Sequence, residues 1–126
     1  MKLAQSQKSR INKWVKKWKK ELFLDQWKIY VKYHDFNEKE DVPASCNPDS
    51  DYMFIDIHVY KSFWSFSLKE QESFIVHELC HCITESIASN SFDLLNGNLV
   101  TSRQLTKTIE NLTQRIANIA FPGGLN

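Results

Sequence analysis

Two histidines four residues apart set the strongest constraint on this chain. They are the ends of His77-Glu78-Leu79-Cys80-His81. The segment around them is predicted to be one long amphipathic helix. Ser67-Leu68-Lys69-Glu70 is a capping box, with Ser67 as N-cap and Glu70 three positions on. The helix should run from there to about Ser89. Four residues span little more than one turn, so both imidazoles leave one helix face, with Cβ atoms about 6 Å apart.

The remaining elements are read by period. Residues 9–24 carry Ile11, Trp14, Val15, Trp18 and Leu22 at three- and four-residue steps, which predicts an amphipathic helix with lysines on its other faces. Trp27 to Tyr33 alternates apolar and polar and predicts a half-buried strand. Residues 35–51 are acidic and turn-rich, with Ala44-Ser45-Cys46 as a short strand inside them. Tyr52 to Tyr60 alternates again, with Met53, Ile55, Ile57 and Val59 on one face. Residues 91–100 are a connector with a turn signal at Asn96-Gly97. Thr101 caps a last helix with the stripe Leu105, Ile109, Leu112, Ile116 and Ile119, which Pro122-Gly123-Gly124 ends. The expected fold is α+β in a single domain over 1–126: N-terminal helix, small antiparallel sheet, motif helix and C-terminal helix.

Charge is balanced overall at +1 but unevenly placed. Eight lysines and arginines precede the first acid, Glu21, and seven acids follow between Asp35 and Asp56 with only Lys39 among them. The basic helix 1–24 is expected to pack on its own core with solvated lysines. Nucleic acid or an acidic partner, and then a membrane surface, are the alternatives. The acidic segment 35–56 could also lie near it. The three cysteines Cys46, Cys80 and Cys82 make no even framework and read as reduced thiols. Cys80 and Cys82 point away from the histidine face and read as core residues. No apolar run approaches the roughly 20 residues of a membrane span, and no leader is evident, so a cytoplasmic location is expected.

Two imidazoles at this spacing can converge on one Zn²⁺ at about 2.0–2.1 Å each. Glu78 lies one residue along, beside that face, where it can take a proton from a metal-activated water. Chance occurrence is the alternative, and the independently predicted helix counts against it. A catalytic zinc usually has three protein ligands. A further Gly and His at 84 and 87 would mark a metzincin, but Thr84 and Ile87 stand there. Glu85 lies on the face of His81 yet about 12 Å along the axis from His77, which suits a supporting role. Glu110 is the third-ligand candidate. It is the only glutamate after Glu85 and flanks the apolar stripe of the last helix. Asp93, His34 and His58 are held in reserve, although His58 reads more simply as a satisfied histidine.

Trp27-x-Ile29-x-Val31, the alternating strand ending near Tyr60, the motif His77 to His81, and Glu110-x-x-Thr113-x-Arg115-Ile116-Ala117 occur in that order. Over residues 27–120 this resembles the short phage- and prophage-type minimal gluzincins. The resemblance implies a zincin-like fold, one zinc held by His77, His81 and Glu110, and Glu78 as general base of a metallopeptidase. A peptide or protein would be the substrate. By analogy with zincins, the strand Tyr52–Tyr60 would bind an extended peptide. Tyr52 or Tyr60 is a candidate to stabilise the oxyanion, and loop 91–100, which joins the two helices, reads as a lid or merely a connector. The chain departs from the family in Cys80, Cys82 and the basic N-terminal helix. Competing classes are a non-catalytic zinc-containing phage regulator and an SprT-like protease recruited to nucleic acid. No Cys-x-x-Cys ribbon supports the latter.

Overall fold

The computed structural model describes residues 3–94 and 101–121, with the side chains of 86, 87, 89–94, 108 and 115 excepted. The elements are α1 (Gln5–Glu21), β1 (Lys28–Tyr33), β2 (Ala44–Asp49), β3 (Phe54–Val59), a short 3₁₀ turn (Lys61–Ser65), α2 (Leu68–Leu94) and α3 (Ser102–Ala120). This is a small α+β domain. Asn96-Gly97 and Pro122-Gly123-Gly124 lie outside the described residues. No described helix is long and apolar enough to cross a membrane.

The sheet is mixed, not antiparallel as expected. Its order is β1-β3-β2, with β1 parallel and β2 antiparallel to β3. The composition of each strand explains its place. In β3, Ile55, Ile57 and Val59 are fully buried, so it takes the centre. Pro48 in β2 has no N–H to donate to a second neighbour, which suits an edge. β1 carries exposed Lys28 and Lys32, a charge pattern that also suits an edge. β2 and β3 form a hairpin whose turn is held by Asp49, its Oδ1 accepting from the N–H groups of Asp51 and Tyr52 at 3.0 and 3.1 Å. Both sides of β3 are therefore occupied. The strand expected to accept an extended peptide cannot do so, and β2 is the edge strand on that side among the described residues.

α2 begins as the capping box predicts. Ser67 Oγ accepts from the Glu70 N–H at 3.2 Å, and Glu70 Oε1 accepts from the Ser67 N–H at 3.4 Å. The helix is less amphipathic in place than its sequence implied, because α1, the sheet and α3 all pack on it. Phe74, Ile75, Val76, Leu79, Cys80, Cys82 and Ala88 are all buried. Cys80 and Cys82 are thus core residues, and burial pushes both thiols up to about 12.

α1 packs through Ile11 and Trp18, with Trp18 Nε1 donating to Glu72 of α2 at 2.6 Å and Lys17 pairing with the same carboxylate at 3.3 Å. Its described ion pair is with α2 and not with the acidic segment. It ends three residues earlier than expected. Leu24 N–H bonds Lys19 O at 2.8 Å and Phe23 N–H bonds Lys20 O at 3.2 Å, a Schellman stop that places Phe23 at φ 57°.

α3 starts at its predicted cap, with Thr101 Oγ1 accepting from the Gln104 N–H at 3.1 Å. Its buried face keeps Ile109 and Ile116 of the expected stripe but leaves out Leu112 and Ile119. Ile109, Thr113 and Ala117 face the protein, whereas Ile119 is 81% exposed and Leu112 is at the boundary. Thr113 and Ala117 present little bulk on the face where α3 packs on α2. Ile109→Ala should therefore cost about 2–4 kcal/mol, and Ile119→Ala no more than about 0.5 kcal/mol. Urea unfolding measures both, and equal losses would contradict this packing.

Candidate metal centre

α2 and α3 run side by side, and the groups that matter lie on their facing surfaces. Thr84 and Thr113 meet in the buried seam, Oγ1 to Oγ1 at 3.0 Å. Thr113 Oγ1 also donates to Ile109 O at 2.9 Å. One turn before Thr113, Glu110 reaches across to α2. Its Oε1 is 3.1 Å from His81 Nε2 and its Oε2 is 3.3 Å from His77 Nε2. The imidazoles are mostly covered, with side chains 19% and 12% exposed, while Glu110 is half exposed.

The second nitrogen of His77 is already committed. His77 Nδ1 bonds Gln114 Oε1, and the amide nitrogen of Gln114 donates to Asn118 Oδ1 at 2.9 Å. Gln114 thus accepts from His77, so Nδ1 carries the ring proton in the neutral form. The lone pair of Nε2 then faces a carboxylate oxygen. Such an arrangement is repulsive unless a second proton or a cation lies between them. Donors in a tetrahedral site with bonds of about 2.1 Å are about 3.4 Å apart, close to the two separations seen here. His77, His81 and Glu110 each offer a ligand atom, all within 4.8 Å of one another. The residues present therefore fit one small divalent cation.

The proton alternative leaves its mark on acidity. Burial alone would lower the His77 imidazole. The hydrogen bond that the protonated ring donates to Glu110 and the charges of Glu78 and Glu110 outweigh it, and the net direction is upward. The bonds to His77 and His81 hold the Glu110 carboxyl far below the usual carboxylate range.

Glu78 is not part of that triad. It is buried, on the side of α2 that faces β2, and it lines a cleft of about 680 Å³ together with the three donors. Burial pushes its carboxyl up, partly offset by His77, His81 and a hydrogen bond from the Cys46 thiol. The opposite wall includes Ser45, His58 and Tyr60. Tyr60 is buried, and its hydroxyl donates to Glu38 Oε2 at 2.7 Å and touches Ser45 Oγ at 2.9 Å. Tyr52 is 80% exposed and does not line the cleft.

The reserve candidates stay apart from the triad. His58 is bonded to Asn47 Oδ1 at 2.7 Å and to His34 Nε2 at 3.0 Å, so both histidines are used within the sheet. Glu85 lines the cleft without joining the donors, as its distance along the axis implied. The side chain of Asp93 is outside those described. Two partners escaped the sequence reading. Gln114 lies four residues after Glu110 on the same helix face, a spacing that could have found it. Cys46 carried no local signal.

The pair His77–Glu110 has a pH signature in chelator-treated protein. The His77 value is raised by folding, so its contribution is complete below the ordinary 6.5 and fades as pH rises through the raised value. The Glu110 value is lowered, so its contribution is complete above 4.5 and fades as pH falls through the lowered value. The pair therefore stabilises most between about pH 4.5 and 6.5. Glu110→Gln should flatten the fall in Tm between about pH 6 and pH 9, and a variant that kept the full wild-type fall would contradict the pairing. No family model matches the chain, and no curated protein or solved structure matches it significantly.

Proposed function

We propose that this chain is a zinc-dependent metallopeptidase with a gluzincin-type ligand set, in which His77, His81 and Glu110 hold the metal and Glu78 is the general base. One observation carries the reading. Two imidazoles from one helix and a carboxylate from the next converge within 4.8 Å, while a fourth group, Glu78, stands beside them in the same cleft without joining them. A purely structural site has no use for that extra carboxylate. Two nitrogens and a carboxylate oxygen suit zinc, and three protein ligands are the number that leaves a zinc open to substrate.

Zinc, when bound, supplies a Lewis acid that polarises a carbonyl and acidifies water. The chain's own groups do the rest. Gln114 fixes the His77 ring by its Nδ1–H, so that Nε2 points into the site. Glu78 takes the proton of the attacking water and delivers it to the leaving nitrogen. Its burial raises the carboxyl toward the range in which a base can both accept and return a proton. Tyr60, the tyrosine that lines the cleft, is placed to donate to a developing oxyanion once it releases Glu38. A peptide would lie along β2, the open sheet edge beside the cleft.

Purified protein should hold about one zinc per chain by elemental analysis. Glu78→Gln should keep that zinc and lose about 10²–10⁴-fold in turnover of denatured casein. Glu110→Ala should weaken zinc binding by about 100-fold or more, and Glu85→Ala by no more than a few-fold. Absence of stoichiometric zinc, or the reverse order of the two alanine variants, would sink the assignment.

A further inference from the structure

Cys46 faces the motif helix because of its register. It pairs with Ile57 of β3, and directly paired residues share a sheet face. Ile57 is fully buried on the side that packs on α2, so Cys46 looks the same way. There its sulfur, a Glu78 carboxylate oxygen and a His81 ring nitrogen all lie within 4.8 Å of one another. This second triad shares only His81 with the first. Its donors are a sulfur, a nitrogen and an oxygen, a softer set than two nitrogens and an oxygen.

We propose that Cys46, Glu78 and His81 form a second seat for a thiophilic divalent cation, alternative to the seat made by His77, His81 and Glu110. The inference rests on the metal reading above only in taking the first seat as real. Without a cation, Cys46 is a free thiol. A divalent ion would take it as a thiolate by direct contact. The S–H bond breaks, a sulfur–metal bond forms, and the proton leaves to solvent.

The two seats exclude each other. One nitrogen of His81 cannot serve two ions. Using both nitrogens at once would require the neutral ring to give up its single N–H proton and hold two cations on one side chain as an imidazolate. A cation in the second seat also engages the Glu78 carboxylate, which then cannot accept a proton from water. The same ion would therefore be competent in one seat and silent in the other. The balance between them follows the softness of the metal, with cadmium drawn to sulfur more strongly than zinc is.

The test uses the full chain, stripped with a chelator and titrated with cadmium. A sulfur-to-cadmium charge-transfer absorption should grow in the ultraviolet and saturate at one equivalent. It should vanish in Cys46→Ser and persist in Cys80→Ala, Cys82→Ala and Glu110→Ala. Cys46→Ser should still bind one zinc, which also shows that it folds. The cadmium NMR resonance of the wild-type protein gives a reading that needs no variant, and it should fall where one sulfur ligand places it. No band, a band that survives Cys46→Ser, saturation at two equivalents, or a resonance typical of nitrogen and oxygen ligands alone would each overturn the proposal. The band reports the second seat, and zinc retention by Cys46→Ser reports the first, so the two readings fail separately.

Discussion

Helix α2 is covered on three sides, and most of the molecule is arranged to cover it. α1 lies on one face, the sheet on another and α3 on a third. Burying an apolar helix this completely supplies a large part of the hydrophobic stabilisation that a chain of this size can gather. The polar groups that share the helix must then be satisfied by neighbours. Glu72 meets Trp18 and Lys17, Thr84 meets Thr113, and Glu78 meets the Cys46 thiol. The motif residues are thus held in a helix whose position is set from several directions, which is what a site needs if its donors are to converge.

Where each donor comes from also decides how it behaves. His77 and His81 share one helix, so their separation is a property of helical geometry and needs no tertiary support. Glu110 reaches them only if α3 is docked. It is half exposed at the rim of the cleft, yet the two imidazoles dominate its titration. Glu78 is the reverse case: covered by protein, its carboxyl is shifted mainly by loss of water. Two carboxylates beside the same histidines are therefore driven in opposite directions by their surroundings, one held ionised and one made easier to protonate.

What was legible in the sequence was local. The capping boxes at Ser67 and Thr101 and the alternation of β3 are short-range patterns, and each appears where expected. The meeting of Glu110 with the two histidines was also legible, because a chain with few acids near its last helix left little choice. The sheet order was not. Strand pairing depends on the path of residues 34–43, which local periodicity does not report, and only the placement of Pro48 and the β1 lysines explains it afterwards. The buried stripe of α3 was legible at Ile109 and Ile116 and misjudged at Leu112 and Ile119, because hydrophobicity alone does not report that Thr113 and Ala117 take the buried positions between them. Cys46 was out of reach for the same reason as the sheet: its neighbour Glu78 is far along the chain, and only the register of β2 brings them together.

The threonine pair in the seam also bears on register. Thr84 and Thr113 are each almost wholly buried, so their hydroxyls depend on protein partners instead of water. A shift of α3 along α2 by one residue would advance it about 1.5 Å and rotate it about 100°. That motion would part the hydroxyls and swing Glu110 away from the imidazoles. The same pair that never touches a donor atom therefore acts as a vernier for the helix contact. It adds a buried polar contact that distinguishes the correct alignment of the two helices from its neighbours, alongside the contacts of Glu110 and Gln114 with the histidines.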